Sequence, residues 1–124
     1  MTSVYSALEE NRLDLKFPEL NQMAGQIYQL SKYQQGCRFL QKKLEEDIKN
    51  TGVILQELYD HLLELMTDPF GNYLFTKLVE YCDTTQRESL LKRIVPDIST
   101  AAFDMYGTQS LQKILPLLEE NQVN

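Results

Sequence analysis

Three sets of side chains recur at one spacing: Cys37, Arg38 and Gln41; Asn72, Tyr73 and Thr76; and Thr108, Gln109 and Gln112. Each set lies one, two and five places after a glycine. Those glycines, Gly36, Gly71 and Gly107, stand 35 and then 36 positions apart. In two of the three sets the middle member is large and flat, Arg38 or Tyr73, and its neighbours are small or hydrogen-bonding. The chemistry available is recognition rather than reaction. A planar group lies against the flat side chain while its edge meets an amide, a hydroxyl or a thiol. A period in the thirties is the mark of a repeat array, so one such ligand per unit is the natural stoichiometry.

The elements that must present these sets follow from helical geometry. Advancing about 100° per residue from each glycine, offsets three, four, seven and eight share one side. They carry Phe39, Leu40 and Leu44 in the first copy, and Leu74, Phe75, Leu78 and Val79 in the second. The third has Leu111, Ile114 and Leu115, its apolar pair interrupted by Ser110. This arc is the expected buried face. Offsets one and five lie one above the other at its edge, with offset two beside them, which predicts an exposed triplet on each helix. The three stretches are Gln35–Glu46, Phe70–Tyr81 and Tyr106–Leu117.

Gly36-Cys37-Arg38-Phe39-Leu40-Gln41-Lys42 and Gly71-Asn72-Tyr73 resemble the RNA-reading helices of the Pumilio/FBF (PUF) family. The lead-in Gly25-Gln26-Ile27-Tyr28-Gln29-Leu30-Ser31-Lys32 is similar to what precedes the first repeat there. The likeness extends from about Leu13 to Leu118. It implies an all-α, right-handed solenoid of three Pumilio-type repeats with an N-terminal cap, part of a crescent that has eight repeats when complete. It also implies single-stranded RNA as partner, one base being read per repeat by two or three side chains. The family pattern pairs a small residue at offset one and Gln at offset five with adenine, and Asn with Gln with uracil. Cys37 and Gln41 match an adenine reader. Asn72 with Thr76 leaves only a leaning to uracil, and Thr108 with Gln112 is close to the adenine type, with Gln109 in place of the usual stacker.

Net charge runs against the simplest form of this reading. The chain is −6, whereas nucleic-acid binders usually carry a basic footprint. Arg38, Lys42, Lys43, Lys77 and Lys113 are expected on or near the inner face, with Glu9, Glu10, Glu57, Asp60, Glu64, Glu119 and Glu120 elsewhere. Such a face attracts phosphate weakly at long range, so binding would lean on base contacts. No apolar run approaches the roughly 20 residues that span a bilayer. The start of the chain lacks the form of a signal peptide. Cys37 and Cys82 have no metal-like spacing and read as free thiols in a reducing cytoplasm.

Residues 1–19 read as a polar tail (1–10) and a capping lead-in with Leu13, Leu15 and Phe17 in alternation. The repeats then occupy about 20–52, 53–95 and 96–124. Leu20–Lys32 reads as one helix, the first inner helix runs to about Lys49, and Asn50-Thr51-Gly52 reads as its terminus and turn. Val53–Met66 is the strongest amphipathic stretch and is expected to back the inner helices. Thr85-Gln86-Arg87-Glu88 has capping-box spacing for a helix to about Ile94. Glu119–Asn124 reads as a frayed tail.

An enzyme is disfavoured: there is no phosphate-binding glycine loop, no metal-ligand cluster and no cofactor motif. His61 is the sole histidine and reads as solvated or core-edge. Two binding classes remain. One is sequence-selective RNA binding in post-transcriptional control of messenger RNA, usually at the 3′ untranslated region. The other is a protein-interaction or self-associating solenoid, whose third unit would expose Leu111, Leu115, Leu117 and Leu118 where a fourth would cover them.

Overall fold

The glycine-led stretches form the inner helices of a helical stack. The computed structural model describes residues 20–123. A 3-10 turn at Leu20–Met23 precedes α1 (Ile27–Leu30), α2 (Gln34–Glu46) and α3 (Asn50–Leu58). A second 3-10 turn, Tyr59–His61, leads to α4 (Leu62–Met66), α5 (Gly71–Tyr81) and α6 (Thr84–Ile94). A third, Val95–Asp97, leads to α7 (Ile98–Ala102) and α8 (Met105–Val123). All regular structure among the described residues is helical, as a solenoid of helical repeats requires. The tail, Leu13, Leu15, Phe17 and the rest of the expected cap at 1–19 lie outside the described residues.

Helix α5 is the middle of three: α2 packs on one flank and α8 on the other, with α3, α4, α6 and α7 behind. The predicted apolar arc is the core. Leu40, Leu44, Leu74, Phe75, Leu78, Val79 and Ile114 are fully buried, each large side chain contributing about 1.5–3 kcal/mol of burial. Leu115 departs from that arc at 54% exposed, although Val79 at the same offset is sealed between units. Ser110, the polar interruption, is nonetheless fully buried, and its hydroxyl donates to the Met66 carbonyl 3.2 Å away. It joins the third unit to the second.

The glycines mark a close approach of backbones. A Cβ on Gly36 would overlap the Leu30 carbonyl, and one on Gly107 the Ala101 carbonyl. At Gly71 the gap to the Leu65 oxygen is 3.0 Å. Each inner helix thus begins against the end of the helix behind it. Asp68 and Asp104, each three places before a glycine, hold that junction. Asp68 Oδ2 accepts from the Phe70 and Gly71 amides (2.8 and 2.6 Å). Asp104 Oδ1 accepts from those of Tyr106 and Gly107 (2.9 and 2.8 Å). These bonds satisfy amides that a helix start leaves open.

Several boundaries differ from the sequence reading. Leu20–Lys32 is not one helix: Gly25 adopts φ +83°, a left-handed conformation suited to glycine. The Glu57 carboxylate accepts from its amide (3.0 Å) and from that of Ile27 (3.3 Å), starting α1 afresh. Asn50-Thr51-Gly52 begins α3 instead of ending α2. The break falls at Asp47, which is extended, and Asn50 Nδ2 donates to the Lys43 carbonyl at 2.8 Å while Thr51 is buried. Val53–Met66 is broken by the turn at Tyr59–His61. The capping box lies earlier than Thr85–Glu88. Asp83 accepts from the Gln86 amide and the Gln86 side chain accepts from the Asp83 amide (2.7 and 2.9 Å). The backbone remains helical through Val123 where a frayed tail was expected.

Candidate nucleic-acid interface

The side chains two places after each glycine reach solvent as expected: Arg38, Tyr73 and Gln109 are all exposed, Tyr73 at 52%. Arg38 and Tyr73 line one cleft of about 510 Å³ together with Gln34, Cys37, Gln41, Pro69, Phe70 and Tyr106. All three members of the first set thus line the same cleft as the flat ring supplied by the second. Arg38 forms no ion pair with Glu45 or Glu46, because Glu45 pairs with Lys77 and Glu46 with Lys43. Its guanidinium remains available for stacking or anion contact.

The expectation of three fully exposed triplets is corrected. Cys37 and Asn72 are 1% and 0% exposed, and Thr76 is 8% exposed. The cause is local hydrogen bonding at the helix starts. Cys37 Sγ donates to the Ser31 carbonyl (3.1 Å), and Thr108 Oγ1 to the Ala102 carbonyl (2.8 Å), the same relation in units one and three. In unit two the corresponding carbonyl, Met66, is occupied by Ser110 from unit three. Asn72 Nδ2 instead donates to Asp68 and Pro69 (2.7 and 3.0 Å), and Thr76 Oγ1 donates to the Asn72 carbonyl (2.9 Å). Gln41 and Thr108 are half-buried and Gln112 is exposed.

The inner cations are less free than their number suggests. Lys77 is held above its ordinary range by its hydrogen bond to Glu45, and Lys43 bonds Glu46 at 3.0 Å. Lys113 Nζ lies 4.7 Å from the centre of the Tyr73 ring, a cation–π contact from α8 to α5. The modestly basic face is therefore partly neutralised by Glu45 and Glu46.

Neither cysteine is poised for chemistry. Burial pushes Cys37 up to about 12, reinforced by Asp68, and burial takes Cys82 up to about 11. A reactive thiol needs the opposite shift. His61 stacks on Tyr28 with ring centres 3.6 Å apart, and the Tyr28 hydroxyl donates to Glu64 at 2.7 Å. That group is outside the residues lining the cleft. No cluster among the described residues could hold a metal ion, and none of their helices is long and apolar enough to cross a membrane.

Sequence reasoning passed over Phe70, Tyr106, Gln34 and Arg87. Phe70 and Tyr106 both immediately precede a glycine, a shared offset that points to them once the helix starts are placed. Arg87 had no such signal. Buried at 8% exposure, it donates to the Val79, Cys82 and Leu117 carbonyls (3.2, 3.4 and 3.3 Å), tying α6 to the end of α5 and to α8.

Stacked helical units presenting a row of flat and amide side chains on one face define a repeat-built binding protein. The Pumilio-family RNA binding repeat model matches residues 26–58 and 61–95, and the chain belongs to that family. It is 41% identical over 112 residues to Pumilio homolog 12 of Arabidopsis thaliana, covering 85% of this chain and 19% of that protein. It is 33% identical over 125 residues to Pumilio homolog 1 of Xenopus laevis, covering 98% of this chain and 10% of the relative. Among solved structures it matches the RNA-binding domain of yeast Puf5p bound to MFA2 RNA, with TM-score 0.67 and 40% identity. That match covers 71% of this chain and 24% of the other. It also matches the Puf4 RNA-binding domain bound to the HO endonuclease RNA 3′ UTR recognition sequence, with TM-score 0.66 and 45% identity. There the coverage is 68% of this chain and 27% of the other. The chain thus spans a small part of each relative.

Proposed function

We propose that the inner face binds single-stranded RNA without catalysing a reaction, in the post-transcriptional control of messenger RNA in the cytoplasm. The observation that carries this is the Arg38–Tyr73 cleft, lined also by Cys37 and Gln41. A guanidinium and a phenol ring supply the faces for a base, and a glutamine supplies its edge. That the similar Puf5p and Puf4 domains were solved bound to RNA supports RNA as the ligand. The units would run antiparallel to the RNA, units three, two and one meeting successive bases 5′ to 3′, with adenine facing unit one. The unit boundaries proposed are about 20–52, 53–95 and 96–124.

Stacking contributes about 1–3 kcal/mol per base, while association costs at least about 4 kcal/mol. Three units should therefore bind in the micromolar range or weaker. Fluorescence anisotropy with short RNAs, and with DNA of the same sequence, tests this. Measurable binding to RNA that Tyr73→Ala weakens supports the reading; equal, Tyr73-independent binding to RNA and DNA ends it.

A second reading, a protein-interaction or self-associating solenoid, draws on the third unit. Of the flank expected to be open, Leu115 is exposed, Leu111 and Leu117 are partly buried against the core, and the Leu118 side chain lies outside those described. Ile98, Phe103 and Met105 are also exposed, Phe103 at 93%. Light scattering tests it: a monomer at high concentration counts against self-association.

A further inference from the structure

We propose that the second unit holds its base by stacking and does not select which base it is. This rests on reading the cleft as an RNA site. It departs from the uracil preference that the residue types Asn72 and Thr76 suggest.

Selection requires hydrogen-bonding groups that reach a base edge, whereas stacking tolerates every base because each has a π-face. Unit two has the stacker without the edge groups. Tyr73 is half exposed and lines the cleft; Asn72 and Thr76 are buried and do not line it. Both Asn72 Nδ2 bonds run to backbone carbonyls, and its Oδ1 is buried. The Thr76 hydroxyl is turned onto the Asn72 carbonyl. In unit one, by contrast, the half-buried Gln41 lines the cleft and brings an amide to it, while Cys37, at the floor of the cleft, is buried like Asn72.

The difference coincides with a contact from the next unit. Cys37 and Thr108 each bond a carbonyl six places back, but the equivalent partner for Asn72 is Met66, already engaged by Ser110. Asn72 turns instead to Asp68 and Pro69, and Thr76, one methylene group and an amide shorter than Gln41, follows it inward. To donate to a base, Asn72 would have to release both Nδ2 hydrogen bonds, and its unpartnered Oδ1 would have to come out of the interior before it could accept from one.

The test uses the whole chain and four nine-nucleotide RNAs that differ only in the base facing unit two, within a fixed A-N-A core. Anisotropy at low salt is expected to give four dissociation constants within threefold. A fifth RNA, changed only at the base facing unit one, should bind at least tenfold more weakly. Tyr73→Ala should weaken all four members of the series by a similar factor. A preference of tenfold or more among the four, or a Tyr73→Ala effect confined to one of them, overturns the inference while leaving the RNA reading intact. Absence of binding to every RNA overturns the RNA reading and this inference with it.

Discussion

Ser110 Oγ lies 3.2 Å from the Met66 carbonyl oxygen, and the bond crosses from the third unit to the end of the helix backing the second. Its neighbours at the same offset are Phe39 and Leu74, so the position is otherwise apolar. Ser110→Ala would leave the carbonyl without this donor in a buried place, at a cost of about 1–2 kcal/mol. Urea unfolding should show a lower midpoint with an unchanged slope.

The three glycines should differ when given a methyl group. Gly36→Ala and Gly107→Ala push a Cβ into a backbone oxygen that cannot rotate away, whereas Gly71→Ala meets the Leu65 oxygen at 3.0 Å. Thermal unfolding should rank the first two as losing about 3 kcal/mol, and Gly71→Ala as distinctly milder. No loss at any of the three, or a gain of the kind that the higher helix propensity of alanine gives, would mean that the close approach does not govern these sites.

Gln41→Ala should separate affinity from selectivity. It removes the amide beside Arg38 and Tyr73 without touching either flat group. Binding of the matched RNA should weaken, while RNAs altered at the base facing unit one lose little further, so discrimination there collapses. RNAs altered at other positions should keep their ranking.

The thiols predict an alkaline weakness. Unfolded, each loses its proton near 9.0; folded, Cys37 holds it to about 12 and Cys82 to about 11. Above the lower value the folded state binds more protons, so stability must fall as pH rises. The contribution is complete below pH 9 and lost between there and about 11 to 12. A Cys37→Ala, Cys82→Ala variant should show a shallower decline over that window. At pH 8 a thiol-specific disulfide reagent should react slowly with the folded chain and rapidly once urea unfolds it.

The inner helices were legible because a core position repeats its residue type: Leu40, Phe75 and Leu111 obey one spacing. Exposure at offset two was equally legible, since a helix edge is a matter of angle. Burial at offset one was not, because it depends on a carbonyl delivered by another helix. Asn72 shows this most plainly: the carbonyl six places back accepts from Ser110, and the Asn72 amide bonds Asp68 and Pro69. The helix break at Gly25 was hidden for the same reason, as Glu57 lies 32 positions away in sequence. Asp83 and Thr85 both begin box-like patterns, and only the chain's extended geometry at Cys82 and Asp83 selects the first.

The junction of each glycine with the carbonyl behind it has a consequence for how such arrays change. The main chains meet there without a side chain between them, and the residues two places after each glycine take no part in that contact. Exchanging Arg38, Tyr73 or Gln109 therefore alters what is read without altering the pitch at which successive positions are offered. The array behaves as a ruler whose marks can be relabelled while its divisions stay where they are.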